Sequence, residues 1–292
     1  MEIGTFSLKA GRPALMGIVN ATPDSFSDGG FFADAASAID HSLKLADEGA
    51  DIIDVGGEST RPGAEAVSEE EESRRVIPVI EGIRRLSGIP VSIDTTKSFV
   101  ARRALDAGAD MINDISAGRF DPAILDIAAQ LEVPICLMHM QGSPGSMQIS
   151  PHYEDLVGEI VAFLSDAVDR AAMAGVSRQK VIVDPGIGFG KSAEDNVTIL
   201  KRLREFRLSN CQEPCAQVRG DIGFDEEEAI PILIGTSRKS FFGKLLGFDV
   251  NNRLEGTLAS LVLAMEGGAS ILRVHDVGPV RRFVDTCLLL RR

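Results

Sequence analysis

Eight short apolar runs recur along the 292-residue chain, and polar or small residues follow each of them directly. Runs this apolar leave no polar face for water, so the strands they predict are buried on both sides, as in parallel sheets covered by helices. We therefore predict an α/β fold, a single (β/α)8 TIM barrel spanning residues 1–292, in which the polar ends meet at the carboxyl-terminal rim, where such barrels keep their active sites. The runs and the residues after them are Ala14 to Val19 with Asn20, Ile52 to Val55 with Gly56, Val91 to Ile93 with Asp94, Met111 to Ile112 with Asn113, Pro134 to Met138 with His139, Val181 to Val183 with Asp184, Ile232 to Ile234 with Gly235, and Ile271 to Val274 with His275.

A repeated turn supports the barrel. Helix-period segments end on Gly49, on Gly108 and on the pair Gly267 and Gly268, and each leads straight into the next apolar run. Glycine after a helix adopts the left-handed conformation that strains other residues, so we predict short helix-to-strand turns there. Residues 1–13 predict an N-terminal β-hairpin that plugs the far end of the barrel. The polar, acidic segment 205–229 predicts a surface insertion on the face opposite the rim.

Composition excludes several classes of protein. The net charge of −13 argues against a protein that binds nucleic acid through the phosphate backbone. No stretch approaches the roughly 18 consecutive apolar residues of a membrane span, and the first residues lack the pattern of a signal peptide, so we expect a cytoplasmic protein without a membrane partner. Cys136 and Cys287 are predicted to pack apolar surroundings, and Cys211 and Cys215 do not have the spacing of a zinc or redox pair.

The strings at the strand ends resemble dihydropteroate synthases, the folate-pathway enzymes that join a pterin to para-aminobenzoate. The resemblance covers nearly the whole chain in order, and the segment 205–229 is its main departure. The matching strings are Met16 to Gly30, Asp54 to Gly63, Ser92 to Thr95, Asn113 with Asp114, Met138 to Met140, Asp184 to Gly190, Gly235 to Ser240, and Arg273 to His275.

A pterin ring presents an edge of donors beside carbonyl and ring-nitrogen acceptors, so its pocket needs carboxylate or amide acceptors and a cationic donor on rigid strands. Four residues of these types at strand ends supply that set: Asp94, Asn113, Asp184 and Lys239. Their combination weighs against each of them being only a helix cap. The resemblance places all four on the pterin, with Asp184 at the amino edge and Lys239 at the carbonyl side. The predicted pterin residues are Asp94, Asn113, Met138, Asp184, Gly235, Lys239 and Arg273.

The second substrate group is a diphosphate. Arg273 offers a planar fork of donors and His275 a further donor, and their spacing puts both on one strand face. The resemblance implies that Asn20 helps to hold a Mg²⁺ ion beside the diphosphate. Asp94, Lys239, Arg273 and His275 are the predicted catalytic residues, with Asp94 stabilising the methylene cation that forms when diphosphate departs.

The third group is an arylamine that carries a carboxylate. Ser240 is predicted near the start of the helix after the seventh strand, where an anion is favoured, and Phe189 is predicted to stack on the ring. Thr60, Arg61 and Pro62, on a long loop after the second strand that is a candidate lid, are also predicted to bind the arylamine. The loop after the first strand, with Asp24, Ser25, Phe26 and Ser27, is the other candidate lid. Sulfonamides copy the arylamine and are expected to compete with it.

Two alternative functions remain open at this point. A pterin-binding methyltransferase that acts on a corrinoid shares the pterin acceptors, but it has no need of the Ser237 to Ser240 string or of a diphosphate clamp. An inactive pterin-binding paralogue or scaffold predicts the loss of at least one site residue, and none is lost. The resemblance also implies a homodimer formed through helices late in the barrel.

Overall fold

The computed structural model describes residues 1–9, 11–22, 31–59, 66–210, 229–249 and 252–291. Short 3₁₀ turns occur at Arg178–Lys180 and Leu203–Phe206. The strands are β1 Glu2–Ile3, β2 Phe6–Ser7, β3 Ala14–Asn20, β4 Ile52–Gly56, β5 Val91–Asp94, β6 Met111–Asp114, β7 Ile135–Met138, β8 Val181–Asp184, β9 Leu233–Ile234 and β10 Ile271–Val274. The helices are α1 Phe31–Asp47, α2 Glu69–Leu86, α3 Ser98–Asp106, α4 Ala123–Gln130, α5 Leu156–Met173, α6 Ala193–Lys201, α7 Phe241–Leu246, α8 Leu254–Glu266 and α9 Val277–Leu290.

The predicted barrel is confirmed. Strands β3 to β10 form an 8-stranded parallel sheet in the order β8-β7-β6-β5-β4-β3-β10-β9. The two ends of this order meet through a parallel bridge between Val183 and Ile232, and the Val183 N–H donates to the Pro231 carbonyl at 3.0 Å. Helices connect successive strands and cover the outer face of the sheet, while the inner face encloses the barrel interior. The eight strand ends that the sequence singles out therefore lie on one rim.

Alternation along the strands divides the core into two clusters. Leu15, Ile53 and Ile112 face outward and pack with the helices, whereas Met16, Ile52 and Met111 face the barrel interior. Because side chains alternate along a strand, residues two apart share a face. The interior cluster also contains Cys136, as predicted for that thiol, while Cys287 packs in part against the outer cluster.

The N-terminal hairpin plugs the barrel as expected. β1 and β2 pair antiparallel, with Ile3 opposite Phe6. The Ile3 side chain is fully buried in the interior cluster, and Phe6 and Leu8 pack against that cluster from outside. Burying a side chain of this size stabilises the fold by about 1.5–3 kcal/mol, so the hairpin is a structural closure of the barrel floor.

The predicted turns have the expected backbone conformation. Gly49, Gly108 and Gly268 have φ values of 101°, 109° and 89°. At Gly49 a Cβ atom would also meet the side chain of Arg281, so both conformation and space favour glycine. At the start of α2, the Ser68 hydroxyl accepts a hydrogen bond from the Glu71 N–H at 3.2 Å.

The segment 205–229 is only partly the surface elaboration that its polarity predicts. Phe206 and Leu208 have no exposed surface, and Ser209 pairs with Ala229. The first residues of the segment therefore belong to the core, because Phe206 and Leu208 pack in the outer cluster despite the polar residues that follow. Cys211 and Cys215 lie outside the described residues. In the described part of the chain, no helix has the length and apolar composition needed to cross a membrane.

Candidate active site

Polar side chains from neighbouring strands converge at the carboxyl-terminal rim. Asp94 at the end of β5 stands opposite Asn113 of β6, and Asp184 at the end of β8 stands opposite Met138 of β7. Asn113 and Asp184 lie two positions after Met111 and Ile182 of the interior cluster, so their side chains also face inward. Asp94 reaches the same space, because it binds Arg273, which lies two positions after Ile271 of that cluster. The parallel register thus creates one polar layer above the apolar floor.

Arg273 joins this layer together. Its Nε donates to Asp54 Oδ2 and its Nη2 to Asp94 Oδ2, each at 2.6 Å. Asn113 Nδ2 donates to the same Asp54 oxygen at 3.1 Å. Two donors of the Arg273 fork are therefore engaged by carboxylates, although the sequence prediction assigns the fork to diphosphate. A diphosphate contact from Arg273 requires its remaining donors or an exchange of partners.

Asp54 opens the matching string Asp54 to Gly63, but the sequence alone indicates no role for it in the site. It is fully buried on β4, and its Oδ1 has no hydrogen-bond partner among the described residues. An ionised carboxylate inside a strand that is otherwise apolar and buried needs a cationic partner, which is a signal the sequence does carry. The partner, Arg273, is 219 residues away in the chain, and only the fold reveals it.

Burial shifts the ionisation of this layer. It raises the pKa of Asp94 to about 7, against the opposing charge of Arg273 and with the added repulsion of Asp54. Burial alone lowers the pKa of Arg273, but the charges of Asp54 and Asp94 outweigh it and raise that pKa above its ordinary value. The guanidinium stays charged, while Asp94 is poised to change its charge near neutral pH.

Asp184 and Lys239 form the second charged part of the site. The Gly186 N–H donates to Asp184 Oδ1 at 2.6 Å. Burial raises the pKa of Asp184 to about 6, against the effects of that hydrogen bond and of Lys239. Burial and the charge of Arg273 lower the pKa of Lys239 to about 8, and Asp184 and Asp94 oppose the shift. Lys239 and Arg273 are thus both within electrostatic reach of Asp94 and Asp184.

An apolar wall stands beside these charges. The Phe189 ring packs against a buried cluster, and its centroid lies 4.3 Å from the Lys239 ammonium, in cation–π contact. Gly235 lies next to Arg273, and a Cβ built on Gly235 would be 3.8 Å from that of Arg273. The buried cluster consists of Ile115, Met138, Met140 and Met147.

His275 lies just beyond β10 and contacts Ser237. The Ser237 hydroxyl accepts from the His275 N–H at 3.1 Å and lies 3.0 Å from Nδ1. The Ser237 hydroxyl can donate its proton to Nδ1, and in that tautomer Nε2 carries the ring hydrogen and is a donor. Burial, aided by Arg273, lowers the pKa of His275 to about 3, so the free protein holds a neutral imidazole.

The remaining predicted site residues lie at the rim, at the start of α7, or outside the described residues. Asn20 is the last residue of β3 and is partly exposed at the rim. Ser240 is the N-cap of α7, as predicted, and its hydroxyl makes no capping hydrogen bond. The lid residues Asp24, Ser25, Phe26 and Ser27, and Thr60, Arg61 and Pro62 of the second loop, lie outside the described residues.

Comparisons with known proteins agree with this geometry. Residues 16–275 match the pterin binding enzyme family. The dihydropteroate synthase of Synechocystis is 49% identical over 267 residues, which are 91% of this chain and 86% of that protein. The chain belongs to the dihydropteroate synthase family of pterin binding enzymes.

Solved structures of this family share the fold. The Xanthomonas albilineans dihydropteroate synthase with 4-aminobenzoic acid has a TM-score of 0.84 and 45% identity, over 96% of this chain and 93% of that one. The same enzyme in complex with 7,8-dihydropteroate has a TM-score of 0.81 and 41% identity, over 98% and 95% of the two chains. The family is thus matched along the whole barrel.

Proposed function

We propose that this rim condenses 6-hydroxymethyl-7,8-dihydropterin diphosphate with para-aminobenzoate to give 7,8-dihydropteroate and diphosphate. The observation that carries the proposal is the linked layer of Asp94, Asn113, Asp184, Lys239 and Arg273, which matches the donor and acceptor pattern of a pterin. The complexes of the Xanthomonas enzyme with 4-aminobenzoic acid and with 7,8-dihydropteroate support the same pair of substrate and product.

Recognition of the pterin rests on complementary groups. The Asp184 carboxylate accepts hydrogen bonds from the amino edge of the ring, and the Lys239 ammonium donates to its carbonyl side. Asn113 supplies an amide within the same layer, and Met138 contributes an apolar surface for the flat ring. The strands hold Asp184, Asn113 and Met138 in place before substrate arrives, which lowers the entropic cost of binding.

The chemical step breaks the bond between the pterin methylene carbon and a diphosphate oxygen. Diphosphate leaves with the bonding electron pair, and the resulting cation is attacked by the arylamine nitrogen, which then loses a proton. The Asp94 carboxylate stabilises the positive methylene, while His275 Nε2–H and Arg273 stabilise the departing negative charge. Phe189, whose ring contacts the Lys239 ammonium, lies beside the position proposed for the arylamine ring.

A Mg²⁺ ion fits this site only in partnership with substrate. Asn20 offers one amide oxygen at the rim, and no group of three or more Cys, His, Asp or Glu side chains able to hold a metal occurs within the described residues. Mg²⁺ prefers hard oxygens and keeps several waters, so Asn20 with diphosphate oxygens is a suitable donor set. When bound, the ion neutralises part of the charge that develops on diphosphate.

We further propose that the protein acts in the cytoplasm as a homodimer. The late helices α7 and α9 carry exposed leucines, with Leu246 at 61%, Leu289 at 66% and Leu290 at 80% exposure. Large apolar side chains on late helices agree with an interface there. Sedimentation equilibrium is expected to give a mass of twice 31.2 kDa, and a single-chain mass would contradict the dimer.

The activity is tested by following diphosphate release. We expect release from the pterin diphosphate only when para-aminobenzoate is added, with dihydropteroate identified by mass as the second product. A sulfonamide should inhibit competitively, because it copies the arylamine, and excess para-aminobenzoate should relieve the inhibition. Release that is independent of para-aminobenzoate would contradict the condensation, and inhibition that excess para-aminobenzoate fails to relieve would contradict the arylamine subsite.

A further inference from the structure

A buried lysine lies beneath the loop that carries Phe189. Lys191 is only 2% exposed, and its ammonium lies 2.9 Å from His139 Nδ1. It also donates to the carbonyl oxygens of Phe189 at 3.0 Å and of His139 at 3.4 Å. Within the described ranges, no carboxylate lies at ion-pair distance from Lys191. Burying an ammonium without such a partner is costly, so its contacts call for an explanation.

Those contacts join the end of β7 to the loop after β8. His139 directly follows β7, and Phe189 lies near the end of the loop Pro185–Gly190. Because Lys191 binds the Phe189 carbonyl, the main chain of that residue is drawn toward the barrel wall. The ring then lies on the site side of the loop, beside the Lys239 ammonium.

Within the loop after β8, the Phe189 N–H donates to the Gly186 carbonyl at 3.1 Å, and three glycines offer no side chains to hold the rest of the loop. Gly186, Gly188 and Gly190 have φ values of 73°, 83° and 63°, in the left-handed region. A Cβ on Gly186 would collide with the His139 carbonyl, so the bare backbone packs directly on the end of β7. A glycine-rich loop loses much entropy on ordering, and it therefore needs contacts from outside to stay in one conformation.

Neighbouring polar groups hold other atoms of the same loop. Gln148 Nε2 donates to the Gly188 carbonyl at 2.7 Å, and the Tyr153 hydroxyl donates to the Gly190 carbonyl at 2.6 Å. The Gly188 N–H donates to Asn196 Oδ1 at 2.6 Å. Lys191 supplies the contact at Phe189 itself. Among these four side chains, that of Lys191 is the basic one, and it also binds His139 at the end of β7.

We propose that Lys191 is a positioning residue for the arylamine subsite: its buried ammonium fixes the Phe189 main chain against β7 and so sets the ring beside Lys239. The inference rests on the proposed function, because it assigns a role within that site. Lys191 binds the main-chain carbonyl of Phe189, so it acts on the arylamine subsite through the loop backbone.

Burial shifts the ionisation of both members of the pair. Burial, together with the charge of Lys191, lowers the pKa of His139 to about 2. The imidazole is therefore neutral, and its Nδ1 can accept from the ammonium. Burial lowers the pKa of Lys191 to about 7, and the charge of Asp184 opposes that shift.

The kinetic test is Lys191→Met, which keeps an unbranched apolar side chain of similar length and removes the donors. We expect KM for para-aminobenzoate to rise about tenfold, in line with the loss of one charged hydrogen bond, while KM for the pterin diphosphate stays within about twofold. The inhibition constant of a sulfonamide should rise in parallel. Lys201→Met, an exposed lysine on α6, is the matched control and should change neither constant.

A merely structural role predicts a different pattern. Loss of folded protein lowers the apparent kcat for both substrates but leaves both KM values unchanged, and that outcome would overturn the proposal. Equal rises in the two KM values would overturn it as well. If Lys191→Met does not yield folded protein, Lys191→Gln carries the test, because it keeps a donor without the charge; a smaller, selective rise in KM for para-aminobenzoate is then expected, and no rise contradicts the role.

A direct measurement of the loop complements the kinetics. The chain contains no tryptophan, so Phe189→Trp places a single fluorescent reporter on the loop. We expect acrylamide quenching of this reporter to increase at least about twofold when Lys191→Met is added, and unchanged quenching would contradict the anchoring. If the parent protein does not release diphosphate with para-aminobenzoate, the proposed function fails, whereas the quenching result still decides whether Lys191 holds the loop.

Discussion

The lower and upper halves of the barrel interior are built from the same strands, two residues apart, and have opposite chemistry. In the lower half the inward side chains are apolar and essentially inaccessible to water. In the upper half the next inward residue on most of these strands is charged or polar. The pairs, lower residue first, are Ile52 with Asp54, Met111 with Asn113, Ile182 with Asp184, and Ile271 with Arg273.

This contrast separates stability from activity. The lower layer gains free energy by burying apolar surface, and the hairpin residue Ile3 completes it. The upper layer buries charges whose desolvation their pairing only partly offsets, and it leaves Asp54 Oδ1 without a partner in the described structure. Proteins tolerate such costs where the unsatisfied groups await a ligand. The floor thus stabilises the fold, and the layer above it is prearranged for substrate.

The largest effect is expected from Asp94→Asn in the upper layer. Removing the charge that faces the developing methylene cation should lower kcat by about 10²–10³, the usual cost of losing one preorganised electrostatic contact. KM for the pterin diphosphate should stay within about threefold, because the amide keeps most of the ground-state contacts.

Steady-state kinetics with both substrates varied measures this split. Asp106→Asn, on the exposed end of α3, is the matched control and should behave as the parent protein. Equal losses in kcat and in affinity would mean that Asp94 is only a binding group. The upper layer would then bind substrate without the proposed stabilisation of the cation by Asp94.

A smaller effect is expected from pH. Asp94 and Asp184 act as carboxylates, with pKa values raised to about 7 and about 6, so kcat/KM should fall as the pH drops below about 7. Lys239 acts as an ammonium with a pKa lowered to about 8, so kcat/KM should also fall as the pH rises above about 8. The profile is therefore expected to be bell-shaped.

Lys239→Arg sharpens this prediction. Arginine stays charged throughout the accessible range, so the alkaline limb should move to higher pH while the acid limb stays in place. Stopped assays of diphosphate release between pH 5 and pH 10 would record both limbs. An alkaline limb that does not move would show that another group controls it.

The smallest catalytic effect is expected in the lower layer. Ile3→Ala should lower the free energy of unfolding by about 2–4 kcal/mol, because it leaves a cavity in the barrel floor. Its kcat and both KM values should match those of the parent below the unfolding transition. Urea denaturation compared with Leu86→Ala, a residue 66% exposed and expected to cost under about 0.5 kcal/mol, measures the difference. A loss of kcat in folded Ile3→Ala would show that the two layers are coupled.

Much of the fold was predictable from local patterns. The strand ends, the hairpin plug and the left-handed glycines follow from apolar runs, short turns and the chemistry of individual residues. The family followed from strings such as Gly235 to Ser240. The pairing of Arg273 with Asp54 and Asp94 did not follow, because hydrogen bonds between distant strands leave no periodic trace in the sequence.

Two features of the site illustrate the same limit. Lys191 directly follows a recognised string, yet nothing local indicates that its ammonium is buried against His139. Ser237 lies within a recognised string, but only the approach of β10 puts its hydroxyl against the His275 ring. In both cases the partner comes from another strand, and the contact depends on the closure of the barrel.

By itself, the sequence determined which residues face inward and which rim carries the chemistry, since the two-residue period of a strand and the direction of a parallel sheet are local properties. Only the tertiary structure decided how the inward charges pair and which of them are buried. Those outcomes depend on distances between strands that are far apart in the chain, and on desolvation, which no residue possesses before the barrel closes.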